Sequence, residues 1–304
     1  MRNILHKYET ERVAVAESFI TMEPELRDIV KSRNTQKGDA LEIARVAAVM
    51  GAKKTWEIIP FCHQIPITQV DVEYAFEDDG IRVTVTCGCI GTTGVEMEAM
   101  TAASICTLTL YDMLKPYDAT CEIRHTKLLS KRGGKSDFAL RLDTPVDVAV
   151  VTVSDLVSNG EKGDRAGDAV RSALSGNETR VRLSVVVPCE SDAIREAVRA
   201  CLDAGAHVVL TVGGTGVGTR DTTVDVLNEM IDRSLEGITD RMREYGLKRT
   251  PRAMVSRSCA GLVGDSLVIA LPGSTRGATE SMKALFPQVL QVVVSLRKDP
   301  ERTC

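Results

Sequence analysis

Residues 146–153 read Val-Asp-Val-Ala-Val-Val-Thr-Val, and three more apolar runs rich in valine and isoleucine follow at 181–187, 207–212 and 266–271. Runs this continuous lack the apolar–polar alternation of a half-solvated strand, so their strands are expected to be buried on both faces. Helical patterns at 165–174, 192–204 and 222–233 fill the intervals. Strands alternating with helices imply βαβ units and a parallel sheet. That requirement holds only for the second half of the chain.

Before residue 143 the texture differs. A strongly alternating segment, 70–86, is broken by Glu77-Asp78-Asp79-Gly80, which predicts an antiparallel hairpin. The join Leu142-Asp143-Thr144-Pro145 carries a helix-breaking proline. A length of 304 residues, at about 100–200 per domain, also favours two domains, 1–143 and 144–304.

Composition removes several classes of function. A net charge of −4 and only 4% aromatic residues argue against a chain that tracks a nucleic-acid backbone or stacks bases. No apolar run reaches the ~18–20 residues of a membrane helix, and residues 1–7 do not resemble a secretion signal. The nine cysteines are an odd, scattered set, expected as reduced thiols in a cytoplasmic protein. Cys87-Gly88-Cys89 reads as strand rather than metal site, because zinc needs two more ligands at usable spacing.

Four clusters in the first half can carry chemistry. Lys37-Gly38-Asp39 precedes a helical stretch at 40–52, with Asp39 placed as its N-cap. Phe61-Cys62-His63 follows Lys53-Lys54-Thr55-Trp56. Glu96-Met97-Glu98 opens a long helix that runs to Asp112 and Lys115, and Lys131-Arg132-Gly133-Gly134-Lys135-Ser136 closes the set. Lysines suit phosphates, and His63 with the acids suits proton transfer. Each cluster also has a plainer reading. Acids favour helix starts, Asp112 and Lys115 form an ordinary i,i+3 pair, and His63 and the glycine pair suit packed turns.

Together the clusters resemble the cyclic pyranopterin monophosphate synthase (MoaC) family of molybdenum cofactor biosynthesis. The resemblance rests on Lys37-Gly38-Asp39, Lys54-Thr55-Trp56, Cys62-His63, Thr93-Gly94-Val95-Glu96-Met97-Glu98-Ala99, Tyr111-Asp112-Met113 with Lys115, and Gly133-Gly134-Lys135-Ser136. It implies an α+β, ferredoxin-like domain with an antiparallel sheet that rearranges a cyclised dihydro-GTP and expels pyrophosphate, with no cofactor required. It further implies that Asp112, Lys37 and Lys115 are catalytic, with His63 as a proton carrier. Phe61, Cys62, His63, Met97, Glu98 and Lys135 would bind substrate. Gln64 and Asp137 depart from the family pattern beside the site. Glu98 and Asp112 lie fourteen positions apart, roughly 21 Å along a continuous helix at ~1.5 Å per residue. One small ligand would not span them, so each site is expected to draw on two chains of a homo-oligomer, for which the resemblance implies a trimer or hexamer.

In the second half the run at 207–212 ends in Gly213-Gly214-Thr215-Gly216-Val217-Gly218-Thr219-Arg220-Asp221. A glycine loop between strand and helix offers backbone N–H groups to an anion, although a plain turn has the same signature. The Gly-Lys-Ser/Thr of a P-loop is missing, which argues against a GTP hydrolase. Asp221 beside a phosphate pocket calls for an intervening cation, Mg²⁺. Residues 147–291 resemble the molybdopterin adenylyltransferase (MogA/MoaB) family through Thr152-Val153-Ser154-Asp155, Asp164-Arg165-Ala166-Gly167, Gly213–Gly216, Arg220-Asp221 and Leu271-Pro272-Gly273-Ser274. The resemblance implies a doubly wound α/β fold that transfers AMP from Mg·ATP to a pterin. Asp221 would be catalytic. Ser154, Asp155, Gly213, Gly214, Thr215, Gly216, Pro272, Gly273 and Ser274 would contact ligands, and Asp221 with Glu190 would hold magnesium. Glu190 stands where that family has aspartate, which leaves open a second expectation, a molybdopterin-binding or scaffold module without transferase activity. The whole chain is then expected to be a bifunctional enzyme acting on small pterin and nucleotide substrates, with no nucleic-acid or membrane partner.

Overall fold

The computed structural model describes the chain except residues 118, 119, 135, 177 and 299–304. It divides into two compact units, Met1–Ala139 and the chain from Leu140 onward.

The first unit runs β1 (Thr10–Thr21), α1 (Pro24–Lys31), α2 (Ala40–Ile58), β2 (Gln69–Glu77), β3 (Gly80–Gly91), α3 (Glu96–Leu114) and β4 (Glu122–Arg132). Its sheet has the order β2-β3-β1-β4, antiparallel throughout. The predicted hairpin is β2–β3, turning at Asp78-Asp79. Alternate residues Ala14, Ala16 and Ile20 of β1 and Ile81, Val83, Val85 and Cys87 of β3 face the helices. α2 offers Ala44, Ala48 and Ala52, and α3 offers Ala99, Ala102, Ala103 and Cys106. Such small side chains let the two helices approach closely. A Cβ at Gly51 of α2 would stand 3.1 Å from Ile105 of α3. Cys87 and Cys89 are buried β3 residues, as the alternation predicts.

β1 and β4 were not legible in the sequence, for different reasons. β1 buries Arg12, Glu17 and Ser18 among its apolar residues, which blunts its periodicity. Glu17 is sustained by Arg82 at 2.7 Å, Lys127 at 2.9 Å and His125 at 3.0 Å, and these hold its carboxyl down at about 2 despite burial. β4 is largely exposed and pairs with β1 through two register shifts, so no single apolar period survives.

The second unit runs β5 (Val146–Val153), α4 (Asp155–Ser158), α5 (Arg165–Leu174), β6 (Thr179–Val187), α6 (Ser191–Asp203), β7 (Val208–Val212), α7 (Thr223–Met230), β8 (Arg233–Ser234) and α8 (Glu236–Leu247). A 3₁₀ turn at Pro251–Val255, β9 (Ala260–Val263), β10 (Ser266–Leu271), α9 (Thr275–Leu285), a second 3₁₀ turn at Gln288–Leu290 and α10 (Gln291–Lys298) complete it. The sheet order is β6-β5-β7-β10-β9-β8. The first four strands are parallel, and β9 and β8 are antiparallel additions.

Two cores sandwich this sheet. Val146, Val148, Val150, Val208, Leu210, Leu267 and Ile269 pack with Val170 and Leu174 of α5 and Ala278 and Met282 of α9. Ala149, Val151, Val209, Val268 and Ala270 pack on the other face with Ile194 and Val198 of α6 and Leu227 of α7. All eight residues of β5 are buried, Asp147 among them by pairing with Arg180 and Arg182. By contrast β6, expected to be buried on both faces, is largely exposed because it forms the edge of the sheet. The chain leaves β5 over one face and β6 over the other, so the winding reverses between β5 and β7. Open α/β sheets bind ligands beyond the strand ends at such a point.

Candidate functional site

At the C-terminal end of α3 the Asp112 carboxylate lies between two lysines. Lys37 Nζ stands 2.9 Å from Oδ2 and donates also to the Asp112 carbonyl at 2.9 Å, while Lys115 Nζ stands 2.7 Å from Oδ1. The Thr35–Gly38 turn presents Lys37. Thr35 and Gly38 exchange backbone hydrogen bonds, and Gly38 takes φ 104°, a conformation that favours glycine. Asp39 caps α2 as expected, accepting from the Leu41 and Glu42 N–H groups. Hydrogen bonds from Lys115 and then Lys37 hold the Asp112 carboxyl down at about 2, and Asp112 holds the Lys115 ammonium up.

The opposite end of α3 has different electrostatics. Glu98 is 3% exposed, and burial pushes its carboxyl up to about 7, with the charge of Glu96 adding to the rise. Near Glu98 are the thiols of Cys62, Cys87 and Cys89, each raised by burial and then by the Glu98 charge. Phe61 is largely exposed there and Met97 partly so. His63 donates through Nε2 to the Arg2 carbonyl at 3.0 Å, which leaves Nδ1 free to accept.

Two cations complete this end, one named in the sequence cluster and one that sequence reasoning missed. Lys131 pairs with Glu96 at 2.9 Å, and buried Arg12 donates to the Gly91 carbonyl at 3.1 Å. Lys131 was legible only as part of a glycine loop; nothing in the local sequence marks Arg12. Asp137, one of the departures, stabilises the glycine turn by accepting from the Gly133 N–H and Ser136 hydroxyl. Lys135 lies outside the described residues.

In the second unit a cleft of about 430 Å³ opens where the winding reverses. It is lined by Ser154, Asp164, Cys189, Gly213, Gly214, Asp221, Gly273 and Ser274, with Lys162 and Arg165. Gly213 and Gly273 are there for close packing. A Cβ on Gly213, at φ 112°, would strike the Val153 carbonyl, and one on Gly273 would lie 2.9 Å from Gly213 Cα. Ser154 caps α4 and Ser274 caps α9, accepting from the Val157 and Gly277 N–H groups respectively. Thr215 is buried, with Oγ1 3.4 Å from Ser256 Oγ. Asp164 is an N-cap too, accepting from Gly167 N–H, Thr152 Oγ1 and Arg171.

Two aspartates behave differently at the glycine loop. Asp155 accepts from the Cys189 N–H at 2.8 Å and from both Nε and Nη2 of Arg220 at 2.8 Å, which hold its carboxyl below the usual range. Asp221 accepts from the Gly218 N–H at 2.9 Å. Glu190, the residue before α6, is exposed and outside the cleft lining, whereas its neighbour Cys189 is within it. Among the described residues no three His, Cys, Asp or Glu side chains group as a metal site. The hydroxyls of Thr222 and Thr223, next to Asp221 in sequence, are buried without a partner.

A second cleft of about 350 Å³ shares Ser274 with the first. Arg243, Arg252, Arg276, Glu280 and Pro272 are among the residues that line it. No helix among the described residues is long and apolar enough to cross a membrane.

Comparison with known proteins matches both halves. The model of the MoaC family matches residues 1–134, and that of a probable molybdopterin binding domain matches residues 149–291. A molybdenum cofactor biosynthesis bifunctional protein of Chlorobaculum tepidum is 34% identical over 299 residues, covering 98% of this chain and 95% of the relative. A cyclic pyranopterin monophosphate synthase of Brevibacillus brevis is 51% identical over 140 residues, covering 45% of this chain and 88% of the relative. The crystal structure of the molybdopterin biosynthesis enzyme MoaB of Thermus thermophilus is 36% identical, with a TM-score of 0.48, covering 52% of this chain and 99% of that one.

Proposed function

Since the chain belongs to the molybdenum cofactor biosynthesis bifunctional proteins, we propose that its two units catalyse two separate steps of that synthesis. The first unit converts (8S)-3′,8-cyclo-7,8-dihydro-GTP to cyclic pyranopterin monophosphate and pyrophosphate. The second adenylylates molybdopterin with Mg·ATP.

The carrying observation is Asp112 clamped between Lys37 and Lys115, with Glu98 half-protonated near neutrality at the other end of the same helix. Closing a cyclic phosphate expels pyrophosphate, whose growing charge two lysines offset. As the leaving group draws Lys37 and Lys115 away, Asp112 loses its cations and gains proton affinity. Rearranging a purine ring moves protons among nitrogens, work for Glu98 and the free nitrogen of His63.

The length of α3 supports sites shared between chains. An apolar row on α2, Ile43, Val46 and Met50, each more than 40% exposed, supports burial of that face in a homo-oligomer. Strand order and crossovers support a ferredoxin-like first unit.

For the second unit, the glycine loop takes the nucleotide phosphates and the arginine-lined cleft takes the phosphorylated pterin, the two meeting at Ser274. Magnesium arriving with ATP would neutralise phosphate charge. The donor set fits a metal carried by its nucleotide, because Asp221 and the Thr222 and Thr223 hydroxyls are hard oxygen ligands but too few for a resident ion. That scarcity of carboxylates, with Glu190 outside the cleft, favours as second reading a module that binds molybdopterin without adenylylating it.

The test incubates the pure chain without oxygen with the cyclised dihydro-GTP, following pyrophosphate and the fluorescence of oxidised pterin. Native chain is expected to form both products and Lys37→Ala neither. Molybdopterin and Mg·ATP are then supplied. Adenylylated product supports the transferase, and binding without product supports the module. No product from folded native chain at the first step overturns the synthase reading.

A further inference from the structure

The glycine loop is tied at its two ends. Thr223 N–H donates to the Gly214 carbonyl at 3.1 Å, and Gly218 and Asp221 bond to each other, Gly218 N–H to the Asp221 carboxylate at 2.9 Å and Asp221 N–H to the Gly218 carbonyl at 3.0 Å. Among the described residues the N–H groups of Gly214, Thr215, Gly216 and Val217 have no acceptor in the protein. These four consecutive amides are left open to a ligand, and two of the carbonyls between them are fixed from outside the loop. The fixing group is Arg257, which precedes β9. Its own N–H donates to the Thr215 carbonyl at 2.8 Å. Its Nε donates to the Gly216 carbonyl at 2.8 Å, and Nη2 donates to the Asp221 carbonyl. Both Nη atoms also grip the Asp225 carboxylate on α7, at 2.8 and 3.0 Å.

These bonds determine where the amides face. In a planar trans peptide the C=O of one residue and the N–H of the next point in opposite directions. With the Thr215 and Gly216 carbonyls drawn to Arg257, the N–H groups of Gly216 and Val217 are turned away from it. The guanidinium is meanwhile neutralised by Asp225, so it is a scaffold rather than a ligand.

We propose that Arg257 is the positioning residue of the second unit's nucleotide site, holding the glycine-loop carbonyls back so that the loop amides are presented to the phosphates of ATP. This rests on the reading of that loop as a nucleotide site. The amides serve bound ATP and the transition state alike, so loss of Arg257 weakens ATP binding with little change in turnover at saturation. A general loss of structure would impair both substrates together.

The experiment compares full-length native chain, Arg257→Ala, Arg257→Lys and Asp225→Asn, titrated by calorimetry with Mg·ATP and separately with molybdopterin. Arg257→Ala is expected to weaken Mg·ATP at least about tenfold, with molybdopterin affinity and saturated turnover held within about threefold. Arg257→Lys keeps a charge but loses the planar fork, and should fall between it and native. Asp225→Asn loosens the anchor and should do the same. If Arg257→Ala does not fold, the other two variants carry the test. Native-like Mg·ATP affinity in the folded variants overturns the role of Arg257, as does an equal loss for both ligands. A native chain that binds no Mg·ATP overturns the nucleotide reading itself, and the role with it.

Discussion

Glu98 and Asp112 stand on one unbroken helix with opposite electrostatics, the first buried and driven towards neutrality, the second exposed and held ionised by two lysines. A proton carrier at neutral pH needs a proton affinity near neutrality, and of these two acids Glu98 has it in the unliganded chain.

The raised carboxyl of Glu98 ties the first unit's stability to pH. Burial favours its protonated form, so the folded state loses stability as pH rises from about 4.5, the unfolded value, through about 7. Glu98→Gln should therefore be more stable than native chain at pH 8, by up to about 3 kcal/mol, and nearly equal to it at pH 4.5. Denaturant unfolding followed through Trp56, the single tryptophan, reads this unit alone. A difference independent of pH would refute the assignment. Synthase activity of the same variant should fall about 100-fold or more, as for loss of a general acid–base group.

Asp112 should behave in the opposite way. Its carboxyl stays ionised at every pH well above about 2, so its stabilising pairs persist until strong acid. Asp112→Asn is expected to lower synthase turnover without moving the pH limb near 7, whereas Glu98→Gln should remove that limb. The helix separates the two groups by about 21 Å, at ~1.5 Å per residue. Mixing inactive Glu98→Ala and Asp112→Ala chains should then restore activity through mixed sites. No recovery after demonstrated subunit exchange would place both groups in separate roles within one chain.

How legible the molecule was depended on where its information lies. Strands β5, β7 and β10 are buried on both faces, so composition alone revealed them. The long helix and the Asp39 cap were equally local signals. β1 and β4 escaped because their stability comes from cross-strand ion pairs around Glu17, whose partners lie 65 to 110 residues away in the chain. The catalytic candidates Lys37, Asp112 and Lys115 could be named individually, but their bonding could not, because a tight turn brings Lys37 to a helix end 75 residues on. Arg257 left no trace at all. Its contacts with Gly216, Asp221 and Asp225 span 32 to 41 residues, and an arginine before a strand has no distinctive pattern.

The two acids expected to hold magnesium should separate experimentally. Asp221 lines the cleft, and Glu190 does not. Asp221→Asn is expected to lower ATP-dependent turnover about 100-fold, in the range seen when a group acting on transition-state charge is removed. It should also raise the magnesium concentration needed for half-maximal rate. Glu190→Ala, an exposed change outside the cleft, should alter either quantity less than about threefold. Equal losses from both variants would show that Glu190, just before α6, moves into the site when ATP binds.

The last prediction concerns the close approach of Gly213 and Gly273. At φ 112°, Gly213 occupies a conformation that strains any other residue, and its missing Cβ makes room for the Val153 carbonyl. Gly213→Ala combines backbone strain with a backbone collision, and should cost about 3 kcal/mol or more. Gly273 meets only Gly213 Cα, at 2.9 Å, without backbone strain, so Gly273→Ala should cost less because the loops can separate slightly. That separation would still widen the cleft between the strand ends. Gly273→Ala should therefore weaken Mg·ATP binding more than its stability loss suggests, and Gly213→Ala the reverse. Calorimetric unfolding beside Mg·ATP titration of the two variants checks the ordering, and a common ranking in both measurements would contradict it.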